Sequence, residues 1–335
     1  MTASDRCEVA IVGGGFAGLA TAWALAARGV RAVVLERAPA LGAFASGRGA
    51  GLGRQLAEDD PTSALAIRGA ERLRGELAEA WSPTGGVLAF DDVDHAHSYV
   101  ARAQRLGVAH EVIGRAHVLA RWPELTGLSI SAAIHLPGDG VIDPHRLLAL
   151  YAARADVRFG VAVHAIAEGR VDTSAGPLHA PVVVDASGAW AGELTGDPPL
   201  DVYRRHLYVL EGTAGASAPY LWHLGHAELY LRADAAGTLV CACDSTPAEP
   251  GEQPIDPAAE RALRDRLAVA SPPLAGRSLV RSWACQRAFT PDRTMRLGRD
   301  PRRPWLFWAA GLGGHGATAS AAVGETVAAA VLEAA

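Results

Sequence analysis

The chain contains no lysine: all 31 of its basic residues are arginines. A mechanism that needs a lysine amine, whether as a Schiff base or as a proton carrier, is therefore excluded. Cysteine is scarce as well, with four in 335 residues. Cys7, Cys241, Cys243 and Cys285 form neither a zinc pattern nor a disulfide framework, so a reducing cytoplasm is the simplest setting. The net charge of −5 comes without any basic run interleaved with aromatics, which removes the electrostatic case for a nucleic-acid partner. No basic region followed by an apolar core and a cleavage site opens the chain, and a strand is expected almost at once. The stretch from Val9 to Val30 is apolar enough to suggest a membrane helix, but its glycines and Arg28 fit a nucleotide-binding unit better.

Half of the residues are hydrophobic, ample for a sizeable core, and the length suggests two domains or one fold with a large insertion. The most informative segment is Gly13-Gly14-Gly15-Phe16-Ala17-Gly18, set between the apolar run Val9–Val12 and the small-residue stretch Leu19–Ala27. A second apolar run, Arg31–Leu35, closes on Glu36. In such a unit Gly13 makes a tight turn, Gly15 lets the backbone approach a pyrophosphate, and Gly18 lets helix and strand pack closely. The helix N-terminus offers unpaired N–H groups and a positive dipole end to phosphates. Glu36 stands where an acid accepts hydrogen bonds from ribose hydroxyls. Strand, turn, helix, strand and acid at this spacing point to a dinucleotide.

Further along, a Gly/Ala/Ser-rich loop covers 40–53 and a helical pattern runs from Pro61 to Trp81. Gly86–Phe90 and Asp92–Leu106 carry short strand and helix signals. Asp143 before Pro144, and Asp256 before Pro257, read as helix caps. Val157–Ala167, Val182–Ala186 and Ser278–Phe289 read as strands, and Val202–Cys243 as an antiparallel sheet rich in Tyr, Trp and branched residues. Trp305–Ala335 reads as strand, glycine loop and long helix. The expected class is α/β: a Rossmann-type domain with a parallel sheet, plus an α+β domain with a mainly antiparallel one. The domains are discontinuous, with 1–81, 138–200 and 282–335 binding the cofactor and 82–137 and 201–281 binding the substrate.

Taken together the motifs resemble the D-amino acid oxidase superfamily of flavoenzymes, nearest to its D-amino acid dehydrogenase, glycine oxidase and sarcosine oxidase branch. The likeness rests on Val9–Arg37, on Ala45–Gly51, on Gly140-Val141-Ile142-Asp143-Pro144 and on Val182–Trp190. Ser282–Arg287 with Thr290-Pro291-Asp292, and Trp308–Gly316 through Glu325, complete it. The resemblance implies FAD, held by Gly13, Gly15, Phe16, Ala17, Gly18, Glu36 and Arg37 at one end. Ser46, Arg48, Ala50, Gly51 and Leu52 would lie beside the flavin, with Val163 at the adenine and Ala186, Gly188 and Trp190 nearby. Gly311, Gly313, Gly314, Gly316, Ala317 and Thr318 would close on the flavin, where a helix N-terminus stabilises negative charge.

The implied chemistry is oxidation of the C–N bond of an amino acid or N-substituted amino acid by hydride transfer to the flavin, giving an imino acid that hydrolyses. Arg287 takes the place of the arginine that clamps the substrate carboxylate, against the plain alternative of a strand arginine in a surface ion pair. Strand alternation lets only one of Arg204 and Arg205 face a pocket, and Arg204 is the expected one. Tyr230 and His315 are read as pocket residues, each with simple packing as the rival reading. Cys285 matches the cysteine that sarcosine oxidases attach to flavin, but a small buried strand residue, and hence non-covalent FAD, is the favoured expectation. Cys241 and Cys243, on alternate positions of one strand, are read as packing. The electron acceptor is oxygen, a quinone or another oxidant; lacking the lysine that sarcosine oxidases use with oxygen, the chain leans towards a dehydrogenase. The rival functions are oxidation of a hydroxy acid or polyol at C–O, and a non-catalytic flavin-binding partner subunit.

Overall fold

The computed structural model describes residues 6–197, 199–212 and 218–334. Val9–Val12, Ala32–Glu36, Val182–Asp185 and Leu306–Ala310 are short, nearly unbroken apolar runs, the composition of strands covered on both faces. They pair in parallel as the centre of a six-stranded sheet. Its order is Arg296–Arg299, Leu306–Ala310, Val182–Asp185, Val9–Val12, Ala32–Glu36, Asp156–Phe159, with only Arg296–Arg299 antiparallel. Helices Phe16–Ala26, Pro144–Ala152 and Gly316–Glu333 cover one face, burying Ile11, Leu19, Val34, Phe307 and Val327 together. A three-stranded meander, Val163–Ala167, Arg170–Thr173 and Gly176–Leu178, covers the other face with Val171 and Leu178 against Ala10, Val33 and Trp308.

The second sheet has nine strands and is built from the two stretches between the pieces of the first. Asp201–Leu210, Gly237–Cys241, Leu229–Asp234 and Tyr220–His223 follow one another antiparallel. Tyr220–His223 then runs parallel to Gly86–Phe90, so the sheet is mixed at this point. Leu279–Phe289 pairs with Asp201–Leu210 along nearly its whole length, from Leu279 opposite Leu210 to Phe289 opposite Asp201. The strand carrying Trp283, Cys285 and Arg287 therefore belongs to the antiparallel sheet, and the chain re-enters the parallel sheet only at Arg296.

Other expectations shift for local reasons. The stretch 157–167 is two strands, because the chain turns at Gly160 (φ +69°) from the parallel sheet into the meander. The helix expected over 61–81 is Asp60–Arg74; Asp59 caps it by accepting from the Thr62 N–H at 2.7 Å, and Gly75 ends it. The apolar spacing beyond Gly75 belongs to a single tight turn, Ala78–Ala80, and to Trp81, whose short strand pairs with Gly140–Ile142. Asp143 and Asp256 cap their helices as the sequence suggests. The last helix ends at Glu333, and Ala335, to which the sequence reading carried it, lies outside the described residues. Among the described residues no helix is long and apolar enough to cross a membrane.

Candidate active site

A cavity of about 680 Å³ opens at the C-terminal ends of the central parallel strands, where ligands collect in open α/β sheets. Its nucleotide end is made of backbone. Gly13 turns the chain at φ +103°, and a Cβ there would run into the Ala186 carbonyl. A Cβ at Gly18 would overlap the Gly13 carbonyl oxygen, so Gly18 serves the packing of helix on strand and does not itself border the cavity. Gly15 gives the Phe16–Ala26 helix no side-chain cap, which leaves its first N–H groups for a ligand; that of Phe16 donates to Ser46 Oγ at 3.0 Å. Glu36 is held over the glycine turn by accepting from the N–H groups of Gly14 and Ala38, both at 2.7 Å. The Arg37 guanidinium carbon lies over Trp190, 3.6 Å from the ring centroid, with Phe44 edge-on to Trp190. Val163 borders the same end beside Val161 and Ala162.

The opposite wall is a second glycine loop, Gly311–Gly314, leading into the uncapped N-terminus of the Gly316–Glu333 helix. Thr318 Oγ1 donates to the Leu52 carbonyl at 3.2 Å and so ties this loop to the loop that includes Ala50, Gly51 and Leu52. Two helix N-termini with free N–H groups, one beside an acid suited to ribose, fit the pyrophosphate and the anionic edge of a reduced flavin.

Beyond the second loop the cavity changes character and is walled by side chains. Arg287 comes in from the Leu279–Phe289 strand. Its Nη2 donates to Ser245 Oγ at 3.3 Å, its Nε is buried without an acceptor, and it has no ion-pair partner among the described residues. Burial, and then the neighbouring Arg205 charge, pushes its pKa down, as expected of a cation awaiting an anion. Tyr230 is buried against Trp222, with ring centroids 5.2 Å apart. His315 receives a hydrogen bond at Nε2 from Arg54 Nη2 at 2.6 Å; burial and then that guanidinium push its pKa down to about 4. Cys285 borders the cavity, but burial and nearby Cys241 push its thiol up to about 12, far from the thiolate that bond formation requires.

Three expectations are corrected by the geometry. Arg204 does not border the cavity: it points to the other side of its strand, 3.4 Å from both Asp256 and the Pro254 carbonyl. The strand's alternation sends Arg205 inward, where its Nε and Nη2 donate to the carbonyls of Asp244 and Cys243 at 3.0 and 2.8 Å. Arg48 also faces away, paired with Glu252, while its carbonyl accepts from Trp283 Nε1. Cys243 is not on a strand position alternate to Cys241: the strand ends at Cys241, and Cys243 sits at φ +54° with its N–H on Cys241 Sγ.

The residue that sequence reasoning missed is Arg54. It borders the cavity, with only 4% of its side chain exposed, and lies over the Trp222 ring at 4.2 Å. The signal for it was an arginine just beyond the glycine loop with an acid, Glu58, four residues on.

The family model described as "FAD dependent oxidoreductase" (DAO) matches residues 8–330. The chain belongs to this family of FAD-dependent oxidoreductases. Glycine oxidase from Geobacillus kaustophilus (strain HTA426) is 27% identical over 92% of this chain and 88% of its own length. The crystal structure of glycine oxidase from Geobacillus kaustophilus superposes with a TM-score of 0.85 at 25% identity, covering 98% of this chain and 95% of that one. L-proline dehydrogenase from P. horikoshii shares the fold, with a TM-score of 0.89 at 23% identity over 97% of this chain and 92% of that chain. The flavoenzyme's cofactor is thus FAD, and the cavity's two loops and two helix N-termini suit it.

Proposed function

We propose that this flavoenzyme oxidises the C–N bond of an amino acid or N-substituted amino acid. One observation carries the reading: a half-buried arginine, Arg287, whose Nε is buried without an acceptor and which has no counter-ion among the described residues, faces the cavity beside the loop that would cover the flavin. Its planar fork would take the substrate carboxylate in two parallel hydrogen bonds and fix the α-carbon in place. FAD, when bound, supplies the two-electron acceptor for the α-hydrogen. Tyr230, Trp222 and the Gly311–Gly314 loop narrow the space around that carbon and exclude water. His315, kept neutral by burial and by Arg54, neither repels a cationic amine nor competes for the carboxylate. The glycine oxidase likeness supports an amine over a hydroxyl as the group oxidised.

The test is anaerobic bleaching of the bound flavin by D-amino acids, L-amino acids, glycine and N-methyl amino acids, with hydroxy acids and glycerol phosphate alongside. Bleaching by one of the amine classes supports the reading. Bleaching by hydroxy acids or polyols alone overturns it.

A further inference from the structure

Arg54 is costly to bury, and Arg287 already answers the need for a carboxylate clamp. We propose that Arg54 forms a second anion site and that the natural substrate is an amino acid carrying two carboxylates. The inference rests on the proposed amine oxidation, since it names the substrate class of that same site.

Three observations support it. First, Arg54 Nη1 is buried with no hydrogen-bond partner, although its Nη2 serves both Glu58 and His315. A buried guanidinium nitrogen without an acceptor is rare in folded proteins and calls for a ligand. Second, Glu58, its ion-pair partner at 2.9 Å, has a side chain 60% exposed and engages only Nη2, so Nη1 is left without an acceptor. Third, the side chain is held in place by more than its charge. It lies over Trp222 at 4.2 Å, and the next residue, Gln55, is anchored through its N–H and Nε2 to buried Asp139 at 3.1 and 3.0 Å. An arginine present only to balance Glu58 would not need such a seat.

The two cations enter the cavity from different elements. Arg287 rises from an edge strand, and Trp222 beneath Arg54 lies four strand steps away through Asp201–Leu210, Gly237–Cys241, Leu229–Asp234 and Tyr220–His223. His315 and Tyr230 occupy the space between, lining the same cavity. A substrate with a carboxylate at each end would meet both arginines, with the C–N bond held between them.

The experiment compares, on the FAD-loaded enzyme, pairs in which a methyl group replaces one carboxylate: iminodiacetate against N-ethylglycine, and each enantiomer of glutamate against norvaline. Rates of anaerobic flavin bleaching and the flavin spectral shift on binding are both read. The wild-type enzyme is expected to favour the dicarboxylate of at least one pair by about tenfold or more in apparent Kd. R54Q, and the charge-balanced R54Q/E58Q, are expected to lower that ratio to near one, while R287M weakens both members of the pair together. A wild-type ratio near one, or equal losses on both members in the Arg54 variants, overturns the inference. If the monocarboxylates bleach the flavin without any dicarboxylate preference, amine oxidation stands and only the second site falls. If no member of either pair bleaches it while hydroxy acids do, the functional reading itself falls.

Discussion

The two ends of the cavity are built by different means. The nucleotide end consists of main chain: the turn at Gly13, the uncapped helix at Phe16, the carboxylate of Glu36 locked onto two N–H groups, and the second turn at Gly311–Gly314. The other end consists of long side chains, Arg54, Arg287, Tyr230 and Trp222, projecting from strands and loops distant in sequence. Backbone geometry demands particular residues at particular spacings, because only glycine fits where a Cβ would strike a carbonyl. Side chains that converge across a sheet impose no such spacing. The first end can therefore be shared by a whole family while the second is free to diverge.

Substitutions at each end probe this difference. The largest effect is expected from Arg287→Met, which should lower kcat/KM for carboxylate substrates by roughly a hundredfold or more, mostly through KM. Steady-state kinetics on any substrate that bleaches the flavin checks it, and unaltered kinetics would remove Arg287 from the site. At the other end, Gly18→Val forces the first helix off the Gly13 carbonyl. It should cost about 1–3 kcal/mol of stability and empty the purified protein of FAD, as read by thermal unfolding and by the flavin-to-protein absorbance ratio. Retention of full FAD would show that the main-chain end is more tolerant than its geometry implies.

A smaller effect concerns pH. His315 is held neutral in the fold, with its pKa pushed down to about 4, whereas the unfolded chain protonates near the ordinary value of about 6.5. Between those values the unfolded state binds more protons, so this histidine makes the protein lose stability as pH falls from about 6.5 to 4. His315→Gln should flatten that part of a melting-temperature profile. The smallest effect is expected from Arg204→Ala, whose side chain faces away from the cavity. Its KM should change less than about threefold, the scale of a half-exposed ion pair. A large rise would mean that the substrate reaches the far side of the Asp201–Leu210 strand.

How much was legible follows the same division. The parallel sheet, its glycine turn, Glu36 and the capped helices at Asp143 and Asp256 were readable because each rests on local chemistry. Arg204 was mistaken for Arg205 because alternation says that one of two neighbours faces inward, not which; that depends on the twist and on partner strands. Arg54 escaped notice because nothing in Leu52-Gly53-Arg54-Gln55 announces that Trp222, far along the chain, will lie beneath it. The strand break at Gly160 was hidden by continuous apolar character on both sides, since each half faces a different core.

The strand order of the parallel sheet has a bearing on how this protein is made. The first strand, Val9–Val12, takes its neighbour on one side from residues 182–185, and beyond that strand lies Leu306–Ala310, near the end of the chain. The helix that seals the sheet, Gly316–Glu333, emerges later still. During synthesis the dinucleotide turn emerges well before Leu306–Ala310 and the Gly316–Glu333 helix, and waits exposed until they can close its layer. Such long-range pairing makes for slow folding and a long interval in which apolar strands lie open to other chains. Binding of FAD to the closed sheet then withdraws the folded form from that hazard by mass action. The supply of cofactor during expression should thus govern how much of the polypeptide survives as well as how much is active.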